Sequence, residues 1–142
     1  MLSKVNYTLQ TDAVKDYVLP QSNYTKDTEW LAYAEEADVL NVVLFGCTAR
    51  QWREANPKLT LEGKNLRDIA SINELVILSN LESANAAYIR EGLNRKERFE
   101  KLSNIACYQK KILDKKDFLK SLKKTSDDIY LDSANSKELP EA

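Results

Sequence analysis

Histidine is absent from the 142-residue chain. Its absence removes Ser-His-Asp and Cys-His catalysis outright, together with the commonest metal ligand. Only two cysteines are present, Cys47 and Cys107, sixty residues apart, so no CxxC metal or redox motif exists. Both are expected to be buried free thiols, since an unpaired cysteine packs as a small apolar residue. Glycine and proline number three each, too few for a β-sandwich or a loop-rich fold. No apolar run approaches the ~20 residues of a membrane span. The longest, Val39 to Phe45, contains Asn41 and stops at Gly46. The first residues, Met1-Leu2-Ser3-Lys4, lead into polar sequence without the apolar core of a signal peptide. A cytoplasmic protein with no membrane association is expected.

What is present fits one soluble domain long enough to bury a core: 43% hydrophobic and 30% charged residues. The net charge is −1, but its distribution is uneven. Residues 1–94 carry 9 basic and 13 acidic side chains, residues 95–124 carry 11 and 4, and residues 125–142 carry 1 and 5. The basic middle block is the only electrostatic pointer to an anionic partner.

Start and stop signals recur along the chain. The first ten residues lack a pattern and read as a flexible arm. Thr11-Asp12 looks like the N-cap of a short helix ending before Pro20. Gln21 to Thr28 reads as a loop. A helix over about 34–45 carries Glu35, Glu36 and Asp38 in its first turns, where carboxylates favour the positive end of the helix dipole. Gly46 supplies the left-handed residue that ends it. Thr48-Ala49-Arg50-Gln51 forms a capping box for a short helix that Asn56-Pro57 terminates, and Lys58 to Asp68 reads as a connecting loop. Ser71-Ile72-Asn73-Glu74 is a second box, opening a helix that closes at Gly92. Apolar residues at 72, 75, 76, 78, 81, 84 and 88 make it the expected central buried helix. Asn94-Arg95-Lys96-Glu97 opens the last helix, which keeps apolar spacing to about Lys124, with a possible break at Asp114. From residue 125 the tail is acidic and aperiodic, as in disordered segments. The expected fold is all-α: a single compact domain of about four to six helices over 11–124, between a flexible arm and a disordered acidic tail.

Five constellations carry potential chemistry, each with a structural alternative. Glu35, Glu36 and Asp38 suit Mg²⁺ with substrate phosphates, or simply the helix dipole; no metal and no cofactor is expected. Arg50, Trp52 and Arg53 share a short helix, where an aromatic flanked by guanidiniums can stack a base or grip a phosphate. Alternatively Trp52 anchors that helix to the core while the arginines pair with acids. Arg67, oriented by Asp68, can bind an anion, or can form a buried pair with Glu82 that locks its loop onto the bundle. Asn80, Glu82, Ser83 and Asn85 line a pocket or form an internal network. Finally Arg95, Lys96, Lys101, Lys110, Lys111, Lys115, Lys116 and Lys120 can contact nucleic-acid phosphates, or form a solvated helix face. On the same helix Ile105, Tyr108, Ile112, Leu119 and Leu122 approximate a heptad seam interrupted by Lys115, a candidate packing surface for a dimer.

Four blocks carry a family resemblance: Glu36-Ala37-Asp38 through Gly46, Thr48 through Pro57, Asn65 through Ala70, and Leu78 through Ala86. In this order, and with flanks spanning roughly residues 8 to 113, they resemble the region that follows the KilA-N domain in phage-type and Bacteroides-type DNA-binding proteins. In those proteins the KilA-N domain supplies DNA binding. Residues 1–33 are too short and unpatterned to be one, so the chain is expected to lack that half. The resemblance transfers no catalytic residue. It implies a non-enzymatic helical interaction or oligomerisation domain of a phage-related DNA-binding regulator, with a protein partner or a second copy as ligand. Direct non-specific nucleic-acid binding through residues 95–124 is the alternative, and a small-ligand or cryptic enzymatic site around Arg67, Glu82 and Asn85 a second one.

Overall fold

A computed structural model describes the backbone of residues 2–132 and the side chains of residues 4–116. Among these residues the chain is all-helical and contains no strand. The helices are α1 (Leu2–Ala13), α2 (Glu29–Phe45), α3 (Ala49–Ala55), α4 (Pro57–Leu61), α5 (Leu66–Ile69), α6 (Ile72–Arg90) and α7 (Arg95–Asp132). A π-helical turn, Val14–Val18, and a 3₁₀ turn, Leu19–Gln21, continue α1 without a break.

The capping signals act as their chemistry requires. Gln51 N–H donates to Thr48 Oγ1 at 3.1 Å and Thr48 N–H to Gln51 Oε1 at 2.9 Å. The same reciprocal pair joins Ser71 to Glu74 and Asn94 to Glu97. Each box satisfies two of the backbone donors that a helix start leaves open. Gly46, at φ 77°, closes α2 in the left-handed region.

Packing is centred on α6, against which α1, α2 and α7 lie. One core joins Leu40 of α2, Ile77, Leu78 and Leu81 of α6, and Leu102 of α7, all fully buried. A second joins Ala13 and Val14 to Ala32, Ala86 and Ile89. Helices α6 and α7 run antiparallel: Asn80 Nδ2 donates to Gln109 Oε1 at 2.9 Å, and Lys101 Nζ lies 5.9 Å from the centre of the Tyr88 ring. Both contacts place Ile72, the first residue of α6, level with residue 117 of α7.

Several expectations are corrected. The supposed arm is helical from Leu2, because Asn6 and Gln10 are buried against α6 and hydrogen-bonded to it. Helix α2 begins five residues earlier than the dipole argument placed it, at Glu29. The connection from Lys58 to Asp68 holds α4 and α5, the first opened by Pro57 at its N-terminus. Helix α7 passes Asp114 without a break and ends at Asp132. Residues 133–142, the larger part of the acidic tail, lie outside the described residues. Cys47 is partly buried and Cys107 is exposed. The first turn of α6 is not buried either, for Ile72 is 80% exposed.

This difference between the middle and the start of α6 is measurable. Leu81→Ala removes a fully buried side chain and is expected to cost about 2–5 kcal/mol. Ile72→Ala is expected to stay within about 0.5 kcal/mol of wild type, as surface changes do. Urea unfolding of the two variants checks the contrast.

Candidate functional site

Three buried polar side chains, Gln10, Asn85 and Arg98, form a network around Glu36, which is fully buried on α2. Arg98 of α7, itself buried, grips the carboxylate with both terminal nitrogens: Nη1 on Oε1, and Nη2 on Oε2 at 3.0 Å. Its Nε donates to the Leu93 carbonyl at 3.2 Å. Asn85 of α6 accepts from Arg98 Nη1 at 2.8 Å and donates to Gln10 Oε1 of α1 at 3.0 Å and to Glu36 Oε1 at 3.3 Å. Arg95 closes the outer side, with Nη2 3.0 Å from Glu36 Oε2 and Nη1 3.3 Å from Glu35 Oε2. Tyr24 donates to the same Glu35 oxygen at 2.6 Å, a bond that pushes the phenol's pKa up. One carboxylate thus ties α2 to α6 and α7 through charge-assisted bonds, and Asn85 extends the network to α1 through its neutral bond to Gln10.

Burial pushes the Glu36 carboxyl upward. The hydrogen bonds and charge of Arg98, then those of Arg95, outweigh it and hold the group below its ordinary value of 4.5. Glu82, also buried, behaves oppositely. Its one ion pair is with Arg67, Nη2 to Oε2 at 3.3 Å, and the arginine is 41% exposed. Its other oxygen, Oε1, has no hydrogen-bond partner. Burial therefore prevails over the Arg67 charge and hydrogen bond, and the Glu82 pKa is raised above 4.5.

The residues singled out by sequence therefore separate. Arg67 and Glu82 pair with each other, while Asn85 belongs to the Glu36 network. Asp68 does not orient Arg67: it accepts from Asn65 N–H at 2.8 Å while Asn65 Oδ1 accepts from Asp68 N–H, a capping box that opens α5. Trp52 is buried, and Arg50 pairs at the surface with Glu54, one turn on. Arg53 enters none of these networks, so Arg50, Arg53, Arg67, Glu82 and Asn85 do not converge on one cleft. Of the acidic trio, Glu35 and Glu36 face arginines, and Asp38 accepts from Ala49 N–H at 2.9 Å to cap α3. Among the described residues no group of three His, Cys, Asp or Glu side chains is placed to hold a metal ion.

The nucleic-acid candidates separate too. Arg95 is committed to Glu35 and Glu36, and Lys101 lies over Tyr88. Lys96, Lys110, Lys111, Lys115 and Lys116 are exposed on α7. Lys120 lies beyond the residues whose side chains are described.

What sequence reasoning missed is the pairing of Glu36 with Arg98 and the roles of Gln10 and Asn6. Asn6 Nδ2 donates to both the carbonyl and the hydroxyl of Ser79 at 2.9 Å. One signal was available: Arg98 falls one turn before Leu102 on the buried face of α7, and a buried guanidinium requires a carboxylate.

The other surface feature is apolar. Val76 and Asn80 of α6 with Tyr108, Gln109, Ile112 and Leu113 of α7 line a groove of about 180 Å³. Ile72, Val76, Tyr108 and Ile112 are large apolar side chains exposed at this end of the helix pair, Tyr108 at 67%. A wider, shallower depression of about 490 Å³ between α2 and α7 has Val39, Val42 and Phe99 among its lining residues, with Glu35, Asp38, Arg95 and Lys96. Among the described residues no helix is long and apolar enough to cross a membrane. Comparison with family models, curated proteins and solved structures found no match to this chain.

The two buried glutamates are expected to show opposite pH signatures. Glu36, depressed in the fold, adds stability above pH 4.5 that is lost as the pH falls through its folded pKa. Glu82, raised, adds stability that is complete below pH 4.5 and is lost as the pH rises through its folded pKa. The stability difference between wild type and Glu36→Gln should therefore grow with pH, and that between wild type and Glu82→Gln should shrink. At pH 7 Glu36→Gln is expected to cost roughly 3–5 kcal/mol, because Arg98 is left as an uncompensated buried charge. Urea titrations between pH 3.5 and 8 measure both.

Proposed function

We propose that the chain is a non-enzymatic helical interaction domain, which presents the apolar end of α6 and α7 for self-association or to a partner protein. The observation that carries this reading is the exposed strip of Ile72, Val76, Tyr108 and Ile112. Large apolar side chains gathered at one place, beside a groove, mark an interaction surface more often than they occur by chance on a monomer. The commitment of Glu36, Arg98, Asn85 and Gln10 to one another supports the same reading, since these buried polar groups are engaged in holding helices together. The four motif blocks that resemble the region following a KilA-N domain support assignment to a phage-related DNA-binding regulator, in which this region would assemble or recruit rather than read DNA.

A second reading, direct nucleic-acid binding, is favoured by one observation: Lys110, Lys111, Lys115 and Lys116 are exposed on one helix. Contacts of this kind would be sequence-independent and strongly weakened by salt.

Solution mass by light scattering, at several concentrations and in moderate salt, tests the first reading. A dimer is expected, and Ile112→Glu should raise its dissociation constant at least about tenfold, as loss of a central apolar contact does. A chain that stays monomeric, or a dimer indifferent to Ile112→Glu, contradicts self-association through this surface and leaves a different protein as the partner to be sought. Salt-sensitive binding to arbitrary DNA, abolished by charge reversal at the four lysines, would favour the second reading instead.

A further inference from the structure

Residues 57–70, which hold α4 and α5, run between α3 and α6 with little to fasten them. Most of their side chains are exposed, Leu61 at 89% and Ile69 at 55%. Their backbone hydrogen bonds stay within the segment or reach no further than Asn56. The Thr60 hydroxyl is equally local, donating to the carbonyls of Asn56 and Arg53. Among the described residues a single hydrogen bond ties the segment to a distant element, Arg67 Nη2 to Glu82 Oε2 at 3.3 Å. One buried side chain, Leu66, adds an apolar anchor.

Between this segment and the rest of the molecule lies a cavity of about 190 Å³. Leu66, Ile69 and Ala70 line it from the segment, and Cys47 and Trp52 line it from the other side. The cavity leaves the segment without close packing over part of its inner surface, where lost contacts weaken attachment.

The one polar tie is itself incomplete. Glu82 is 1% exposed, yet Arg67 meets only one of its oxygens, and Oε1 has no hydrogen-bond partner. A buried carboxylate stays ionised at low cost only when its lone pairs are used. No other charge offsets this one, since Arg67 is the only charged group acting on Glu82. Asp68 of α5 is closed into its cap with Asn65, Glu36 of α2 is held by Arg98 and Arg95, and Asn6 of α1 bonds Ser79. Arg67 is 41% exposed and touches the carboxylate, so displacing it opens a path for water to Glu82. The ionised group gains from that water, and the protonated group does not. Burial already prevails over the arginine in the closed arrangement, which raises the Glu82 pKa and gives the same sign.

We propose that residues 57–70 form a strap that swings away from the body as a unit, with Arg67–Glu82 as its catch, and that ionisation of Glu82 releases the catch. Asn56 and Ala70, both non-helical, bound the strap and absorb the swing. Opening bares the cavity wall at Trp52 and Cys47, while the helices joined through Glu36 stay together. Segments with few buried contacts open in this way well below the free energy of global unfolding. The strap does not depend on the interaction-domain reading and stands or falls separately from it.

Cys47 reports the opening, because it lines the cavity and is partly buried. Cys107→Ser removes the exposed thiol, and alkylation of Cys47 by iodoacetamide is followed at one mildly alkaline pH, so that thiol chemistry is common to all variants. Arg67→Ala, which removes the catch, is expected to speed labelling at least about tenfold. Glu82→Gln, which keeps the shape and stays uncharged, is expected to slow it at least about threefold. Backbone hydrogen exchange separates local from global opening: the Asp68 and Ala70 amides should follow the labelling, and those around Glu36 and Asn85 should not. As the pH falls toward 4.5, protection of α5 in wild type should approach that in Glu82→Gln. Equal labelling of all three proteins overturns the proposal, and so does faster labelling of Glu82→Gln than of wild type. Exchange in Arg67→Ala that rises equally in α5 and around Glu36 also overturns it, because the whole fold and not the strap would then be opening.

Discussion

The Glu36–Arg98 pair is the contact on which the arrangement of the four long helices depends. Either charge alone in the interior would be prohibitive, and the pair is tolerated only because the remaining donors and acceptors around it are used. Asn85 completes that accounting by accepting from Arg98 and donating to Gln10 and Glu36. Leu93 and Arg95 complete it from the α6–α7 connection and the first turn of α7. Apolar packing holds α6 against its neighbours, but such packing tolerates sliding and rotation. A bidentate carboxylate–guanidinium contact does not, so it fixes the rotation of α2 and α7 about α6, and Gln10 extends the constraint to α1.

Two kinds of polar group follow from this. Those around Glu36 are closed on themselves and serve the fold. Glu82 is the exception: buried, paired on one oxygen only, and raised in pKa, it costs stability near neutral pH, a cost that the structure offsets elsewhere. The apolar residues divide the other way. Those from Ile77 to Ile89 on the inner face of α6 are buried, while Ile72 and Val76 at its start are not. On the proposed reading, the polar interior builds the domain and the exposed apolar end is its working surface, which is where α7 outruns α6.

Local signals made the fold legible. The capping boxes at Thr48, Ser71 and Asn94 and the stop at Gly46 are decided within four residues, by hydrogen bonds that the sequence spells out. The all-α class, α6 at the centre and three of the helix starts could therefore be read directly. Helix α1 could not, because its inward face carries Asn6 and Gln10, which look like solvated residues until Ser79 and Asn85 are set opposite. Glu36 misled for a related reason: a carboxylate near the start of a helix already had an explanation in the helix dipole. Its actual partner lies 62 residues away. Contacts between polar residues distant in sequence leave no periodicity, and only the requirement that a buried charge be compensated hints at them. The Arg67–Glu82 pair was nameable because both residues are conspicuous on elements already expected to touch.

The division between a closed polar interior and an open apolar end is tested most directly by backbone hydrogen exchange, measured on the same chain at low and at high protein concentration. The account predicts that added protection at high concentration is confined to the first turns of α6 and to α7 from Tyr108 onward. The segments around Gln10, Glu36 and Asn85 should be equally protected at both concentrations. Concentration-dependent protection centred on Glu36 and Asn85, or none anywhere, would contradict it.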